Sequence, residues 1–290
     1  MAFFDRLKSL VGKDRLEVRK RFILVREAIS GTMSKFYVAK DRQTGEMVGL
    51  KILDLEKTAQ FEARFKGLNK PCEGEIATRL QHPFIVRTLE YGLTTEGAQY
   101  LVMEFLGGPG MNSLIVAKDR RLDGRRVTYL RQVAEALDAV HQAGFIHRDV
   151  CPRNLMLTAD SQTLKLTDFG LSVPATPPFL QPGNRTGTPN YMAPELVRRQ
   201  ATDARLDIFA FGVTAYEICS FELPWLCGIT GQAAMTHDQP PADIRRYRPL
   251  IHPDLAAAIH ACIQPEPKKR CPSMQQFLKA IRKLQHEDTA

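Results

Sequence analysis

A change of apolar period near residue 106 constrains this chain more than any other feature. Before it, apolar side chains recur at a spacing near two in three consecutive stretches, Phe22 to Ile29, Phe36 to Lys40 and Met47 to Leu53. That spacing belongs to strands with one buried face. Asp41-Arg42-Gln43-Thr44-Gly45-Glu46 separates the last two and predicts an antiparallel hairpin. A polar stretch of helical character runs from Leu55 to Leu80 and stops at His82-Pro83, because the residue before a proline disfavours helix. Two more strands, Val86 to Tyr91 and Gln99 to Glu104, flank the turn Thr94-Thr95-Glu96-Gly97. After Gly107-Gly108-Pro109-Gly110 the period becomes helical: Val127, Leu130, Val133, Ala134, Leu137, Val140 and His141 lie at i, i+3, i+4, i+7. A second apolar helix is expected from about Leu206 to Cys219. A third starts at Ser273, whose hydroxyl can cap the backbone with Gln276 three residues on, and buries Phe277, Leu278, Ile281 and Leu284. The pattern describes a small β-rich lobe, a Gly-rich hinge and a larger helical lobe.

The 290 residues suffice for one large two-lobed domain or two smaller ones. A composition 44% hydrophobic and 25% charged excludes collagen, coiled coil and wholesale disorder. No uncharged apolar run reaches the roughly 18 residues that suggest a bilayer span; the longest, Phe209 to Phe221, carries Glu217. The opening Met-Ala-Phe-Phe-Asp-Arg places charge where a secretory signal has its apolar core. Cys72, Cys151, Cys219, Cys227, Cys262 and Cys271 lie far apart, with no Cys-x-x-Cys pair and no His cluster at zinc spacing, so reduced thiols and a cytoplasmic location are expected. Of the net charge of +8, +5 sits in residues 1–26, with eight Lys and Arg against three Asp and Glu. This is a local basic extension, and no nucleic-acid partner is expected. Residues 2–13 place Phe3, Phe4, Leu7, Leu10 and Val11 on one side and Arg6, Lys8 and Lys13 on the rest. That arm suits docking on its own domain or disorder, with peripheral contact to an anionic membrane as the alternative.

His147-Arg148-Asp149, Asn154 and Asp168-Phe169-Gly170 follow the long helix in that order. Val48-Gly49-Leu50-Lys51, Glu73, Ala193-Pro194-Glu195, Asp207 and Arg270 accompany them. On these elements the chain resembles the protein kinase family from about residue 21 to 285. The resemblance implies an α+β, bilobal protein-kinase-like fold: a basic extension at 1–20, a small β-rich N-lobe at 21–105, a larger helical C-lobe at 106–286 and a tail at 287–290. It implies ATP and Mg²⁺ as cofactors and a protein as substrate. The γ-phosphoryl group carries several negative charges, so its transfer needs metal ions and cations rather than a protein nucleophile. Asp168 and Asn154 offer hard oxygen ligands to the metal. Asp149 would take or orient the proton of the attacking hydroxyl, and Lys51, held by Glu73, would bind the α- and β-phosphates. Counting back from His82-Pro83 selects Glu73 over Glu75. The nucleotide set is completed by Ile29, Gly31, Ser34, Phe36, Gly49, Met103, Glu104, Leu106 and Met156. Taken singly, an Asp or Asn near a turn is more often a cap and a strand Lys more often snorkels. Glu195 with Arg270 looks like the family's buried ion pair, and Asp207 like its anchor for the catalytic loop.

The chain departs from the family pattern at several positions. In the G-x-G-x-x-G-x-V frame, Phe36 takes the Val position and the glycines fall at Ile29, Gly31 and Ser34, so one is retained and the loop should be stiffer. Phe36 and Gly49 form a candidate matched pair that conserves volume. Cys151 stands where serine/threonine kinases usually have Lys, and Arg153 stands where tyrosine kinases carry Arg. Arg153 can supply a cation to the catalytic site and should favour acidic over basic peptides. Gly187 to Glu195 resembles the serine/threonine form, which favours Ser/Thr specificity and leaves tyrosine or dual specificity open. Thr186, and after it Thr176, are candidate phosphate acceptors facing Arg148. A pseudokinase scaffold is the alternative function. A small-molecule kinase would share the catalytic Asp residues but would not be expected to carry Ala193-Pro194-Glu195.

Overall fold

The computed structural model describes residues 15–30, 33–183, 185–225 and 236–285. The expectations for residues 2–13, Gly31, Cys227 and the tail at 287–290 fall outside these. Contacts divide the chain into two units, one running through residue 81 and resuming at 86–105, the other made of 82–85 and everything from 106.

The first unit is built on a five-stranded antiparallel sheet of order β1-β2-β3-β5-β4. Its strands are β1 (Phe22–Ser30), β2 (Ser34–Asp41), β3 (Met47–Leu53), β4 (Thr88–Leu93) and β5 (Gln99–Glu104). Alternation puts Phe22, Ala39, Val48, Leu50, Tyr100 and Val102 in one cluster with Leu16. Each large apolar side chain so buried contributes about 1.5–3 kcal/mol, which fixes the register, since a slip of one residue would turn this set to water. The turn between β2 and β3 closes on itself, Gly45 N–H donating to Asp41 C=O at 2.8 Å, with Gly45 at φ +76°. Residues 15–20, assigned by the sequence division to the extension, are tied to this sheet: Leu16 N–H donates to Leu93 C=O and Leu16 C=O accepts from Thr95, both at 3.0 Å.

The single helical stretch expected over 55–80 is two helices, α1 (Leu55–Glu62) and α2 (Glu73–Arg79). The Asp54 side chain caps α1 by accepting from Lys57 N–H. Between them Gly67 and Asn69 take positive φ and Pro71 withholds a donor, so the helix cannot run through. Val86 and Arg87 also lie outside the strand expected from Val86, which begins at Thr88.

The second unit carries α3 (Met111–Val116), α4 (Arg126–Gln142), α5 (Pro194–Val197), α6 (Arg205–Ser220), α7 (Pro253–Cys262) and α8 (Met274–Ala280). In α6 every residue but Arg205 and Glu217 is buried, as a helix apolar all round must be. Arg126 of α4 is buried because its guanidinium is satisfied, by Ile218 C=O at 3.0 Å and by Asp123 at 3.1 Å. Ser273 Oγ accepts from Gln276 N–H and starts α8; Phe277, Ile281 and Leu284 are buried and Leu278 only partly. Short strands frame the loops: β6 (Gly107–Gly110), β8 (Leu155–Thr158) and β9 (Leu164–Leu166) form one sheet, and β7 (Phe145–Ile146) pairs with β10 (Val173–Pro174). The glycine cluster expected as a hinge is thus a strand. Among the described residues no helix is long and apolar enough to cross a membrane, and Cys72, Cys151, Cys219, Cys262 and Cys271 are free thiols.

Candidate active site

In the first unit, β3 presents Lys51 and α2 presents Glu73. Lys51 Nζ lies 2.6 Å from Glu73 Oε1, with both side chains buried. Glu75 pairs instead with Arg79 at 2.7 Å. The approach of α2 to the sheet depends on Gly74: a Cβ there would stand 2.4–2.5 Å from Tyr91 of β4. On the same sheet Phe36 sits opposite Lys51, and Gly49 lies between Val38 and Met103. A Cβ on Gly49 would be 2.8 Å from Phe36 Cζ, so the ring occupies the space an Ala would fill. Ile29 pairs with Phe36 in the strand register, Ser34 with Leu53, and Met103 is buried. Glu104 is bound at both ends, its Oε1 accepting from Arg87 N–H at 2.7 Å and its N–H donating to Arg87 C=O.

In the second unit, β7 leads into the loop His147 to Asn154, and buried Asp207 at the start of α6 organises it. Its carboxylate accepts from the N–H groups of His147 (2.8 Å) and Arg148 (2.7 Å) and lies 2.9 Å from His141 Nε2. Burial opposes its charge, but the His141 contact, the His141 and His147 fields and the backbone donor outweigh that and hold the carboxyl below the usual Asp range. Arg148 takes φ +71°, a strained turn for a non-glycine that these bonds maintain.

Asp149 follows, half-buried. Its Oδ1 accepts from Thr188 N–H (2.8 Å) and Thr188 Oγ1 (2.7 Å), and its Oδ2 accepts from Asn154 Nδ2 at 2.9 Å. Asn154 Nδ2 also donates to Asp149 C=O, which leaves the amide oxygen for another partner. Asp168 stands at φ +66° and accepts from Gly170 N–H at 3.2 Å. Phe169 packs edge-on against His147, centroids 5.1 Å apart. Met156 lies in β8 opposite Gly110, and half-buried Leu106 precedes β6. Cys151 is buried with its sulfur 3.7 Å from Thr188 Oγ1. Burial, then the Asp149 charge, push its thiol up to about 12, so it is neutral beside Asp149. Arg153 is exposed. Its charge is felt by Glu217, which burial raises, and by Tyr191, whose hydroxyl donates to Glu217 at 2.6 Å.

Arg270 grips Glu195 in a buried bidentate pair at 2.7 and 3.0 Å. Thr176 is exposed, whereas Thr186 Oγ1 is buried without a hydrogen-bond partner among the described residues.

A metal fits the donor set. Among the described residues no three His, Cys, Asp or Glu side chains gather to hold an ion by themselves. The Asn154 amide oxygen and the Asp168 carboxylate are the sparse, hard donors suited to an ion completed by phosphate and water.

An α+β chain with a lysine–glutamate pair on its sheet, and a loop aspartate held by an asparagine and a threonine, has the parts of a phosphoryl-transfer domain. The chain matches the protein kinase domain over residues 25–281 and belongs to that family. Such domains use ATP and divalent metal ions. The chain is similar to the hormonally up-regulated neu tumor-associated kinase homolog A of Xenopus laevis, 30% identical over 262 residues, 89% of this chain and 37% of the relative. It is similar to the serine/threonine-protein kinase pkn3 of Myxococcus xanthus, 30% identical over 270 residues, 89% and 48%. A probable serine/threonine-protein kinase of Clostridium acetobutylicum is 28% identical over 263 residues, 89% and 39%. The chain spans less than half the length of these relatives.

The sequence gives no sign that Thr188 fixes Asp149. Nor does it mark His141 as a partner of Asp207, or His237, whose Nδ1 donates to Met192 C=O at 2.7 Å. His141 read as one more position on an apolar helix face, and His237 carried no signal, because its tilted ring contacts with Trp225 and Phe209 join distant segments.

Proposed function

We propose that this chain is an active protein kinase that moves the γ-phosphoryl group of ATP to serine or threonine hydroxyls of protein substrates. The observation that carries the reading is the hydrogen-bonded set around Asp149. With Oδ1 taken by Thr188 and Oδ2 by Asn154, the carboxylate is held in one orientation, as a group that accepts a proton in the transition state must be. Asp149 then orients the substrate hydroxyl and takes its proton as the new bond to phosphorus forms. Lys51, steadied by Glu73, binds the α- and β-phosphates, and Asn154 and Asp168 hold Mg²⁺. The bound ion neutralises charge on the transferring group. Arg153 supplies the cation at the substrate side that neutral Cys151 cannot. Met103, Glu104, Leu106 and Met156 complete the nucleotide contacts with Ile29, Gly31, Ser34, Phe36 and Gly49.

The Ser/Thr choice rests on Thr188 within Gly187 to Glu195, and on the serine/threonine kinases of Myxococcus and Clostridium. The test is transfer of label from ATP to a generic protein substrate with Mg²⁺ beside an Asp168→Ala control, followed by phosphoamino-acid analysis. Phosphoserine or phosphothreonine in the wild type alone is expected; equal label in both would leave a pseudokinase scaffold. That second reading is favoured by one observation, the buried neutral Cys151 in place of the usual cation.

A further inference from the structure

We propose that Arg153 and Arg185 form a cationic rim at Asp149 that selects protein substrates carrying a carboxylate or phosphate beside the target hydroxyl. This rests on the kinase reading above and adds to it the class of substrate. Both arginines belong to the second unit and both are exposed. Neither side chain makes a hydrogen bond or an ion pair among the described residues.

The two come from the two segments that hold the Asp149 carboxylate. Arg153 adjoins Asn154, whose amide donates to Asp149 Oδ2 at 2.9 Å. Arg185 lies three residues before Thr188, which binds Oδ1 through its N–H at 2.8 Å and its hydroxyl at 2.7 Å. The intervening Gly187 is pressed onto the loop, since a Cβ there would stand 2.8 Å from the Arg148 carbonyl oxygen. Two residues of chain carry Arg185 no more than about 7 Å from Gly187, a distance its own side chain spans.

Nearby acids are committed elsewhere. Residues 169–202 hold Arg185, Arg198 and Arg199 against one carboxylate, Glu195. Glu195 is buried in its pair with Arg270, and Arg198 is taken by Asp238 at 2.5 Å. Glu217 feels the Arg153 charge, but its Oε2 accepts the Tyr191 hydroxyl at 2.6 Å and burial raises it, which weakens its answer to the arginine. Cys151, standing between Asp149 and Arg153, is neutral. A guanidinium without a partner keeps its planar fork for a ligand, and that fork matches the oxygens of carboxylate and phosphate. Two of them attract an acidic segment to Asp149 and repel a basic one.

The experiment uses the full chain and four dye-labelled peptides that differ only in the residues flanking a single serine: glutamine, glutamate, phosphoserine or lysine. Anisotropy without nucleotide reads binding, and label transfer with ATP and Mg²⁺ is read separately. The glutamate peptide should bind about fivefold tighter than the glutamine peptide for each arginine engaged, the upper end for an exposed ion pair, and the lysine peptide more weakly than either. The advantage should shrink as salt is raised from about 0.05 to about 0.5 M. A gain confined to phosphoserine assigns the rim to phosphate; a gain shared with glutamate assigns it to carboxylates as well. Arg185→Glu should erase the preference for glutamate over lysine, and Arg185→Lys should retain most of it. Equal binding of the glutamate and glutamine peptides to the wild type, or a preference untouched by salt, overturns the proposal without reference to how a variant folds. Transfer to all four peptides with equal affinity would sink the rim and keep the kinase; preference in binding with transfer to none would do the reverse.

Discussion

The Lys51–Glu73 pair of the first unit is joined by opposite charges, the Asp149 loop of the second by hydrogen bonds to a carboxylate. The pair is joined by a short ion contact, and the helix that brings Glu73 comes close to the sheet where Gly74 meets Tyr91. Asp149 accepts three side-chain bonds of its own, and its loop hangs from Asp207, which accepts three more. A network made several times over yields only where its anchor is removed.

That contrast is open to direct attack. Asp149→Asn should lower kcat by about 10²–10⁴-fold, since it removes the proposed proton acceptor, while leaving the far-UV spectrum and melting temperature near wild type; initial rates with labelled ATP decide it. Asp207→Ala, which orphans two buried N–H groups and a histidine, should cost about 3–5 kcal/mol in urea unfolding, the scale seen when one member of a buried charged network is lost. Gly74→Ala should cost about 1–3 kcal/mol by overpacking. It should also weaken nucleotide binding in titration calorimetry, because α2 is pushed from the sheet and Glu73 goes with it. Full retention of affinity would show that the pair tolerates a displaced helix.

A smaller effect comes from pH. Burial lowers His237 from the ordinary 6.5 to about 4, so it is neutral in the folded chain and charges more readily when unfolded. Its contribution is whole above pH 6.5 and is lost as pH falls towards 4. Between pH 7.5 and 5 about 2 kcal/mol should disappear from the unfolding free energy, and His237→Gln should flatten the slope. Asp207, held low, acts only further down, below the ordinary Asp range. Smallest is the Phe36 and Gly49 pair: Gly49→Ala should weaken nucleotide binding by less than about 1.5 kcal/mol, and Phe36→Val added to it should restore the loss.

Much of the fold was legible because periodicity is local. The five strands of the first unit, α4, α6 and the Ser273 cap lie within a few residues of their expected places, each set by the face its own side chains bury. The failures were also local conflicts. Gly67, Asn69 and Pro71 outweighed helical character over 55–80, and the glycines at 107–110 joined β8 rather than staying a free hinge. At the site, residue types in order were readable, and with them the Lys51–Glu73 and Glu195–Arg270 pairs that the resemblance implies, but other partners were not. That Thr188 fixes Asp149 and that His141 reaches Asp207 depend on segments 39 and 66 residues apart meeting, which the spacing of residues along the chain does not encode.

From the amino acids alone came the alternation that makes a sheet, the period that makes buried helices, and an ordered series of acids, an amide and a lysine that belongs to phosphoryl transfer. Packing settled the rest. Thr188 rather than any nearer residue holds Asp149 Oδ1 because the 187–195 segment folds back onto the loop, and Cys151 stays neutral because it is buried beside a carboxylate. Charge state and partner choice are properties of surroundings, and surroundings exist only once distant parts of the chain exclude water together.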